Sequence, residues 1–275
     1  MDTAQPSAPQ NTPETAIQTL GALGDLRVWS VIITIFGDAV MPRGGKVSAS
    51  VLATLTDRLG IRPEALRVAL FRLGKDGWIT RSKQGRNSYY ALTKRGRETF
   101  LPASRRIYAN GPALKGPWHI AALGPGTEAE RALIDERLTQ AGYIRLTPLL
   151  FLGAGGVSYA QDAPEQDALV ISGTLHHLPD WAREALAPDS LQQDYVRLEA
   201  ALLHLMAQPL LKDPETAAAL RVMLVHQWRR MLLRHGDLPA EVLPNRWRGE
   251  ACRTLVLELY QNLSTSADQW LDSVI

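Results

Sequence analysis

Cysteine is nearly absent from this sequence. The 275 residues include a single cysteine, Cys252, so no disulfide can form within the chain, and a reducing compartment is expected. Long apolar runs are missing too, since none approaches the roughly 18 residues that span a bilayer. The N-terminus lacks the basic start and apolar stretch of a secretory signal. These absences predict a cytoplasmic protein with no membrane partner.

Recognised catalytic and metal-binding motifs are absent as well. The six histidines show neither the HExxH pattern nor another ligand spacing, and no cysteine pair accompanies them. No nucleophile motif occurs, and the glycine-rich stretch at residues 153–156 matches neither a phosphate loop nor a dinucleotide fingerprint. We therefore predict no catalytic residue, no metal and no cofactor, in a protein that is not an enzyme.

Charge is distributed unevenly along the chain. The formal net charge is only +2, but residues 62–106 hold twelve Lys or Arg against three Asp or Glu. That segment is therefore +9, and the remainder is −7. Concentrated positive charge repels itself, and attraction to phosphate with release of counterions is the usual reason for it. The distribution indicates binding to nucleic acid.

The basic segment begins with a predicted helix and hairpin at residues 62–90. Gly77 ends the helix, because a residue without a Cβ can adopt the left-handed conformation that closes the last turn. Two strands, at 78–80 and 89–92, then flank a polar basic turn. The apolar residues that recur at helical spacing and form the buried face are Leu66, Ala69, Leu70 and Leu73.

Two further helices are predicted before this segment. Residues 26–36 are rich in β-branched residues, but we predict a helix that ends at Gly37, because the next two helices need a packing partner. After a loop at 38–46, Ser48 or Ser50 caps the next helix. The order of helix, helix, turn, helix and hairpin is that of a winged helix-turn-helix. Such a domain presents one helix and one hairpin to the grooves of duplex DNA.

Individual residues of this predicted winged-helix domain, called the head below, are expected to play different roles on DNA. Arg72 is the candidate for reading a base, since its guanidinium can address O6 and N7 of guanine together. Basic residues of the hairpin and beyond it are expected to hold phosphates. Phe71 lies off the buried face, but we expect it to pack beneath the first helix rather than to contact a thymine methyl. The predicted DNA-binding residues are Arg62, Arg67, Val68, Arg72, Lys75, Lys83, Arg86, Asn87, Ser88, Tyr90 and Lys94.

The whole chain is predicted to be an α+β protein of several domains. Glycine and proline between residues 110 and 117 give the clearest linker composition. Beyond the linker, one long strand is expected at 143–152, and two separate helices are expected at 249–263 and 265–274. The predicted parts are a disordered tail (1–25), a winged-helix domain with a linking helix (26–109), a ferredoxin-like middle domain (116–188) and an all-helical C-terminal domain (189–275).

Short motifs follow one another along residues 26–272. Those in the head are FGD at 36–38, RGG at 43–45, ALFRL at 69–73, KDGW at 75–78 and GRNSYY at 85–90. Those beyond it are RIY at 106–108, GPW at 116–118, HQWRR at 226–230 and WRG at 247–249. In this order they resemble the PaaX family of bacterial transcriptional repressors, which control operons for aerobic phenylacetate degradation. The segment at 48–56 departs from that family in being smaller and more polar.

The resemblance implies a homodimer that represses transcription from a palindromic operator and is released by an acyl-CoA inducer, phenylacetyl-CoA. It also implies a middle domain similar to the small ferredoxin-like nuclease subunits of CRISPR systems, without their activity. An inducer with an aromatic acyl group and an anionic head would need an apolar slot flanked by arginines. The candidate residues for this effector site are Trp228, Arg229, Arg230, Trp247 and Arg248.

Three alternatives stay open at this point. The protein could repress a different pathway that is linked to an aromatic compound or an acyl-CoA. It could be an enzyme acting on CoA esters or nucleic acid, such as a thioesterase or a nuclease, with a DNA-binding head. It could also be an architectural protein that binds all DNA equally. Turnover of substrate would identify the enzyme, and equal affinity for operator and random DNA would identify the architectural protein.

Overall fold

The computed structural model describes residues 13–112, 116–155, 168–209, 213–236 and 238–275. Over these residues the fold is α+β, mainly helical with two small antiparallel sheets. The contacts divide the chain into two compact units, each built from separate segments. The first unit contains the described residues up to Tyr108 together with those of Arg197–Arg230 and Thr254–Ile275, and the second contains those of Ala109–Val196 and Met231–Arg253.

A helix occupies part of the predicted disordered tail. Helix α1, Pro13–Gly21, buries Ala16, Ile17 and Leu20. The prediction of disorder over 1–25 is therefore wrong for this helix, while residues 1–12 lie outside the described part of the chain. The apolar side chains are few, so packing against the rest of the unit is needed to hold this helix.

Helix α2, Val28–Ile35, is the predicted first helix of the head, and it continues further than expected. A π-helical segment, Phe36–Val40, and a 3-10 turn, Met41–Arg43, follow it directly. The predicted helix end at Gly37 and loop from 38 are thus wrong. A Cβ on Gly37 would lie 2.1 Å from the Phe100 ring, so this glycine permits close packing and does not end a helix.

The predicted helix of the basic segment is confirmed, and a hairpin follows it. Its strands are longer than expected, since they run through residues 83, 84, 87 and 88, which were predicted as part of the turn. The helix buries Leu66, Ala69, Leu70 and Leu73 and packs against α2, and Gly77 follows it with a φ of 73°. A short strand that the sequence did not indicate joins the hairpin in a sheet of order β1-β3-β2. The elements are β1 (Lys46–Ser48), α3 (Ala49–Arg58), α4 (Pro63–Lys75), β2 (Ile79–Gln84), β3 (Asn87–Leu92) and α5 (Lys94–Ile107).

Local capping residues fix where two of these helices begin. The Ser48 hydroxyl accepts a hydrogen bond from the Val51 N–H of α3 at 3.3 Å. The Thr93 hydroxyl accepts one from the Gly96 N–H of α5 at 2.9 Å. Both bonds satisfy N–H groups that have no partner within their own helix, and they set the direction of the chain on either side of the sheet.

The second unit contains a four-stranded antiparallel sheet in the order β5-β6-β4-β7. The single strand predicted at 143–152 is wrong, because a tight turn divides it into β5 and β6. Ala121, Leu138, Tyr143 and Phe151 form the core between this sheet and helix α6. The elements are β4 (Trp118–Leu123), α6 (Glu128–Gln140), β5 (Ile144–Thr147), β6 (Leu150–Ala154), β7 (Ala168–Gly173) and α7 (Asp180–Leu186). Helix α8 (Asp189–Met206) follows, and its residues from Arg197 onward belong to the first unit.

Two long helices follow, α9 (Pro214–Leu232) and α10 (Gly249–Val274). The two helices predicted at 249–263 and 265–274 are one. The Ser264 hydroxyl donates to the Tyr260 carbonyl at 2.8 Å, so it bonds the preceding turn and does not cap a new helix. Among the described residues, no helix is long and apolar enough to cross a membrane.

A buried charge cluster lies in the core of the first unit. The Arg221 side chain of α9 is 1% exposed and binds Asp38, which is 0% exposed, at 2.9 Å. Arg221 also binds Asp268 of α10 at 2.7 Å, and the Tyr108 hydroxyl donates to Asp38 at 3.1 Å. Burial opposes the charged form of Arg221, but Asp38, Tyr260 and Asp268 together outweigh it, so the pKa of the guanidinium is raised. The cluster ties the π-helical segment to both long helices.

Candidate nucleic-acid interface

The outward face of α4 is basic and exposed. Arg67, Arg72 and Lys75 lie on it, opposite the buried leucines. Arg67 contacts Glu64 at 2.8 Å and Arg72 contacts Asp76 at 3.8 Å, with all four side chains more than half exposed. Exposed pairs of this kind contribute only about 0.2–1 kcal/mol each. Both arginines can therefore exchange a carboxylate for phosphate or a base at little cost.

Two apolar side chains share this face with the cations. Val68 is 66% exposed and Phe71 is 76% exposed. The expectation that Phe71 packs beneath the first helix is thus wrong. The buried face of α4 is already filled by Leu66, Ala69, Leu70 and Leu73, and the helical register turns Phe71 away from it.

The β2–β3 hairpin carries the second group of predicted residues. Gln84 pairs with Asn87 across its tip, where Gly85 has a φ of 60°. Lys83, Arg86 and Asn87 are all exposed there. A glycine fits this position because other side chains rarely adopt positive φ. The hairpin thus presents two cations and an amide at its end.

Arg81 and Lys46 are two further cations of the three-stranded sheet, and neither was predicted to bind DNA. In the register Arg81 aligns with Tyr90, whereas Lys46 aligns with the neighbouring Ala91, so the two side chains lie on opposite faces of the sheet. The Arg81 guanidinium donates to the Ser88 hydroxyl through Nε at 3.2 Å and through a terminal nitrogen at 2.7 Å. The Lys46 ammonium lies 4.7 Å from the centre of the Tyr89 ring. Arg81 was one of the twelve basic residues counted in the segment 62–106. Lys46 lies outside that segment, in a stretch that was predicted to be a loop.

Three predicted residues lie at the edges of this surface. Tyr90 is half-buried opposite Val47 and Arg81 in the sheet register. Lys94, in the first turn of α5, lies 3.9 Å from Glu98, and Arg62 precedes α4 as its exposed N-cap. The structure therefore brings helix, hairpin and flanking cations into one unit, with the polar side chains outward.

The predicted effector residues are divided between the two units. Trp228 is 1% exposed in the first unit, and its indole N–H donates to the Ile107 carbonyl at 3.0 Å. Its side chain is therefore part of the core of that unit. Trp247 belongs to the second unit, where it packs against Tyr195 with ring centres 4.5 Å apart. Arg248 is exposed in that same unit.

Arg229 and Arg230 lie beside Trp228 on α9, but they point to different partners. Arg229 donates to the Ser30 hydroxyl at 2.9 Å, and burial lowers the pKa of its guanidinium. Arg230 donates to the Leu23 carbonyl at 2.6 Å. Arg230 also lines a cavity of about 330 Å³, with Asp25, Arg27, Trp29, Ser30 and His226.

A second cavity shares two of these lining residues. It measures about 560 Å³ and is lined by Arg27, Trp29, Arg72, Leu73, Asp76 and Trp78. Two indole rings and two guanidinium groups thus border a space of the size that small ligands occupy. One of those guanidinium groups is Arg72, the predicted base reader.

His226 of α9 is a buried histidine whose pKa is strongly lowered. It is 1% exposed, and its Nδ1 lies 3.2 Å from the Thr34 hydroxyl, while Nε2 is buried without a hydrogen-bond partner among the described residues. Burial, together with the nearby Arg229 and Arg230, lowers the pKa of the imidazole to about 4. Over the part of the chain that is described, no group of three or more His, Cys, Asp or Glu is placed to hold a metal ion.

Comparison with family models and with known proteins found similar sequences. A family model described as PaaX-like protein matches residues 27–96, and one described as PaaX-like protein C-terminal domain matches residues 187–273. The chain is 29% identical over 265 residues to the Transcriptional repressor PaaX of Escherichia coli (strain K12), covering 86% of this chain and 81% of that protein.

Among solved structures, the chain is similar to the Uncharacterized protein Rv0674 from Mycobacterium tuberculosis. The TM-score is 0.57 at 21% sequence identity, and the match covers 89% of this chain and 99% of that one. At this identity the likeness concerns the fold alone. The two family models and the Escherichia coli relative show that the chain belongs to the family of PaaX-like proteins.

Proposed function

We propose that this protein is a transcriptional repressor that binds DNA through α4 and the β2–β3 hairpin. The observation that carries the proposal is the exposed basic face of α4, with Arg67, Arg72 and Lys75, in the same unit as the Lys83 and Arg86 hairpin. The Escherichia coli relative is named a transcriptional repressor, which supports this role and a function that is not enzymatic.

The order of elements supports a winged helix-turn-helix for the head. Helix α2 is followed by β1, α3, α4 and the hairpin, and the three strands pair in the order β1-β3-β2. In such a domain α4 would be the recognition helix in the major groove. For the second unit, the strand order β5-β6-β4-β7 with α6 between β4 and β5 supports a ferredoxin-like sheet.

We infer a division of labour among the basic residues. Arg72 lies on the outward face of α4 and has only a weak, exposed partner, so its guanidinium is available to guanine. Lys83 and Arg86 lie at the end of a hairpin and would bind phosphates beside the groove. Phosphate contacts fix the register, and the base contact sets the sequence preference.

The protein would act as a homodimer in the cytoplasm on a palindromic operator. Two-fold symmetry places two recognition helices on one face of the duplex, with half-sites about one helical turn, or a multiple of it, apart. The proposal predicts a footprint with two protected halves that are related by inverted repetition.

We further propose that an acyl-CoA such as phenylacetyl-CoA releases the protein from DNA. The indole rings of Trp29 and Trp78 border the cavity and could pack against an aromatic acyl group. The Arg27 guanidinium, which also borders it, could pair with the anionic CoA part of the ligand. Since Arg72 borders the same cavity, a ligand that occupies it would compete with the base contact. Only such a difference in affinity between free and DNA-bound protein can produce release.

A mobility-shift titration tests both halves of the proposal. The DNA would be the region upstream of the neighbouring catabolic genes, with random DNA of equal length as the control, each at two salt concentrations. A repressor should prefer the specific DNA by about a thousandfold or more. Equal affinity for both DNAs would instead identify an architectural protein.

The effector arm uses the same titration with phenylacetyl-CoA and with free phenylacetate. Release by the ester alone supports the proposed inducer. Specific binding that ignores the ester would keep the repressor and direct attention to another acyl-CoA pathway. Hydrolysis of the ester during the assay would favour an enzyme with a DNA-binding head.

A further inference from the structure

Phe71 is the most exposed large hydrophobic side chain among the described residues, at 76%. It lies on α4 three residues after Val68, which is 66% exposed, so the two form one apolar spot on the helix surface. The spot contributes nothing to the core of the unit, because the opposite face of α4 supplies that core. We therefore expect the exposed Phe71 ring to contact a partner outside the chain.

The surroundings of the spot indicate which partner fits. Arg67 and Lys75 lie four residues before and four residues after Phe71, so each occupies the neighbouring turn on the same face. A protein or lipid partner would have to bury these cations beside the ring. Duplex DNA instead offers phosphates at the rims of the major groove and apolar groups on its floor.

The apolar group that base edges present in the major groove is the C5 methyl of thymine. A phenyl ring donates and accepts no conventional hydrogen bond, so it cannot read the polar pattern of the other edges. We propose that Phe71, together with Val68, contacts thymine methyl groups and so helps to set the operator sequence. This inference rests on the proposed function, and it assigns a second reading residue beside Arg72.

Deoxyuridine in place of thymine tests the proposal directly, because it removes the methyl and keeps the base pair. The protected operator would be synthesised with each thymine replaced in turn. Burial of one methyl group contributes about 0.8 kcal/mol, which corresponds to about a fourfold change in affinity. We expect the parent protein to lose about fourfold at one or more thymines in each half-site.

The variant Phe71→Ala should bind the thymine operator more weakly and should no longer distinguish deoxyuridine at those positions. Phe71→Leu, which keeps an apolar group, should retain part of the discrimination and serves if the alanine variant does not fold. Leu101→Ala removes an exposed apolar residue of α5 in the same unit and is the matched control. It should leave affinity and discrimination unchanged.

The proposal is overturned if Phe71→Ala shows the same ratio of thymine to deoxyuridine affinity as the parent at every position. It is also overturned if no single replacement affects the parent. Either result leaves the repressor intact, provided that the parent prefers the operator to random DNA. If the parent bound operator and random DNA equally, the proposed function itself would be overturned. The proposed contact of Phe71 with thymine would then be overturned as well.

Discussion

The buried His226 should make the stability of the protein depend on pH in the mildly acidic range. Its pKa is lowered to about 4 in the folded state, against about 6.5 in an unfolded chain. Between these values the unfolded chain binds a proton that the folded protein does not bind. The free energy of unfolding is therefore highest above pH 6.5 and falls as pH is lowered toward 4.

The size of the effect follows from the two pKa values. Each unit of pKa difference corresponds to about 1.4 kcal/mol, so the full loss, reached below pH 4, is about 3.4 kcal/mol, of which about 3 kcal/mol is lost at pH 4. At pH 5 the loss should be about 2 kcal/mol relative to pH 7.5. This is a large share of the 5–15 kcal/mol that stabilises a typical domain.

Urea unfolding at pH 7.5 and at pH 5, followed by tryptophan fluorescence, measures this difference. His226→Gln removes the titrating group and keeps a side chain that can bond the Thr34 hydroxyl, so its unfolding free energy should change less between the two pH values. His177→Gln, which removes an exposed histidine, is the matched control. If His226→Gln loses as much stability at pH 5 as the parent, the assignment of the effect to this buried imidazole is refuted.

Three further outcomes are expected. Arg72→Ala should lower operator affinity by about 1–3 kcal/mol and relax the preference at one base pair, measured on operators with single base changes; an equal loss on all sequences would contradict base reading. Lys83→Ala should weaken binding to every sequence alike and lower the slope of log affinity against log salt by about one, and an unchanged slope would argue against a phosphate contact. Asp38→Asn should cost about 3–5 kcal/mol in urea unfolding, because it leaves the buried Arg221 cation with Asp268 alone. The double variant Asp38→Leu/Arg221→Met should recover much of that loss, and a cost below about 1 kcal/mol for the single change would contradict the pairing.

The parts of the fold that follow local rules could be predicted from the sequence. The buried face of α4 follows from the 3.6-residue period. Gly77 and Gly85 have positive φ because the helix end and the hairpin tip require it. The candidate surface was predictable for the same reason, since the basic residues lie on a regular helix and a regular hairpin.

The parts that depend on distant contacts could not be predicted in this way. The role of Gly37 depends on the Phe100 ring, which lies on another helix. Strand β1 has only three residues and exists because Lys46–Ser48 pair with β3. The helical spacing showed that Phe71 lies off the buried face of α4. Whether another element covers its ring depends on tertiary contacts, which the spacing does not give. Residues of the effector site were chosen by composition, and chain segments far apart in sequence place them in different units.

The segmented construction of the first unit has a consequence for protein synthesis. Asp38 lies 183 residues before Arg221, and the Ile107 carbonyl lies 121 residues before the Trp228 indole that binds it. At about 5–20 residues per second, roughly 10–40 s pass between translation of Asp38 and of its cation. During that interval the nascent DNA-binding elements lack the helices that complete their core. An N-terminal fragment that stops at Tyr108 would remain in that incomplete state, so DNA binding should emerge only after most of the chain has left the ribosome.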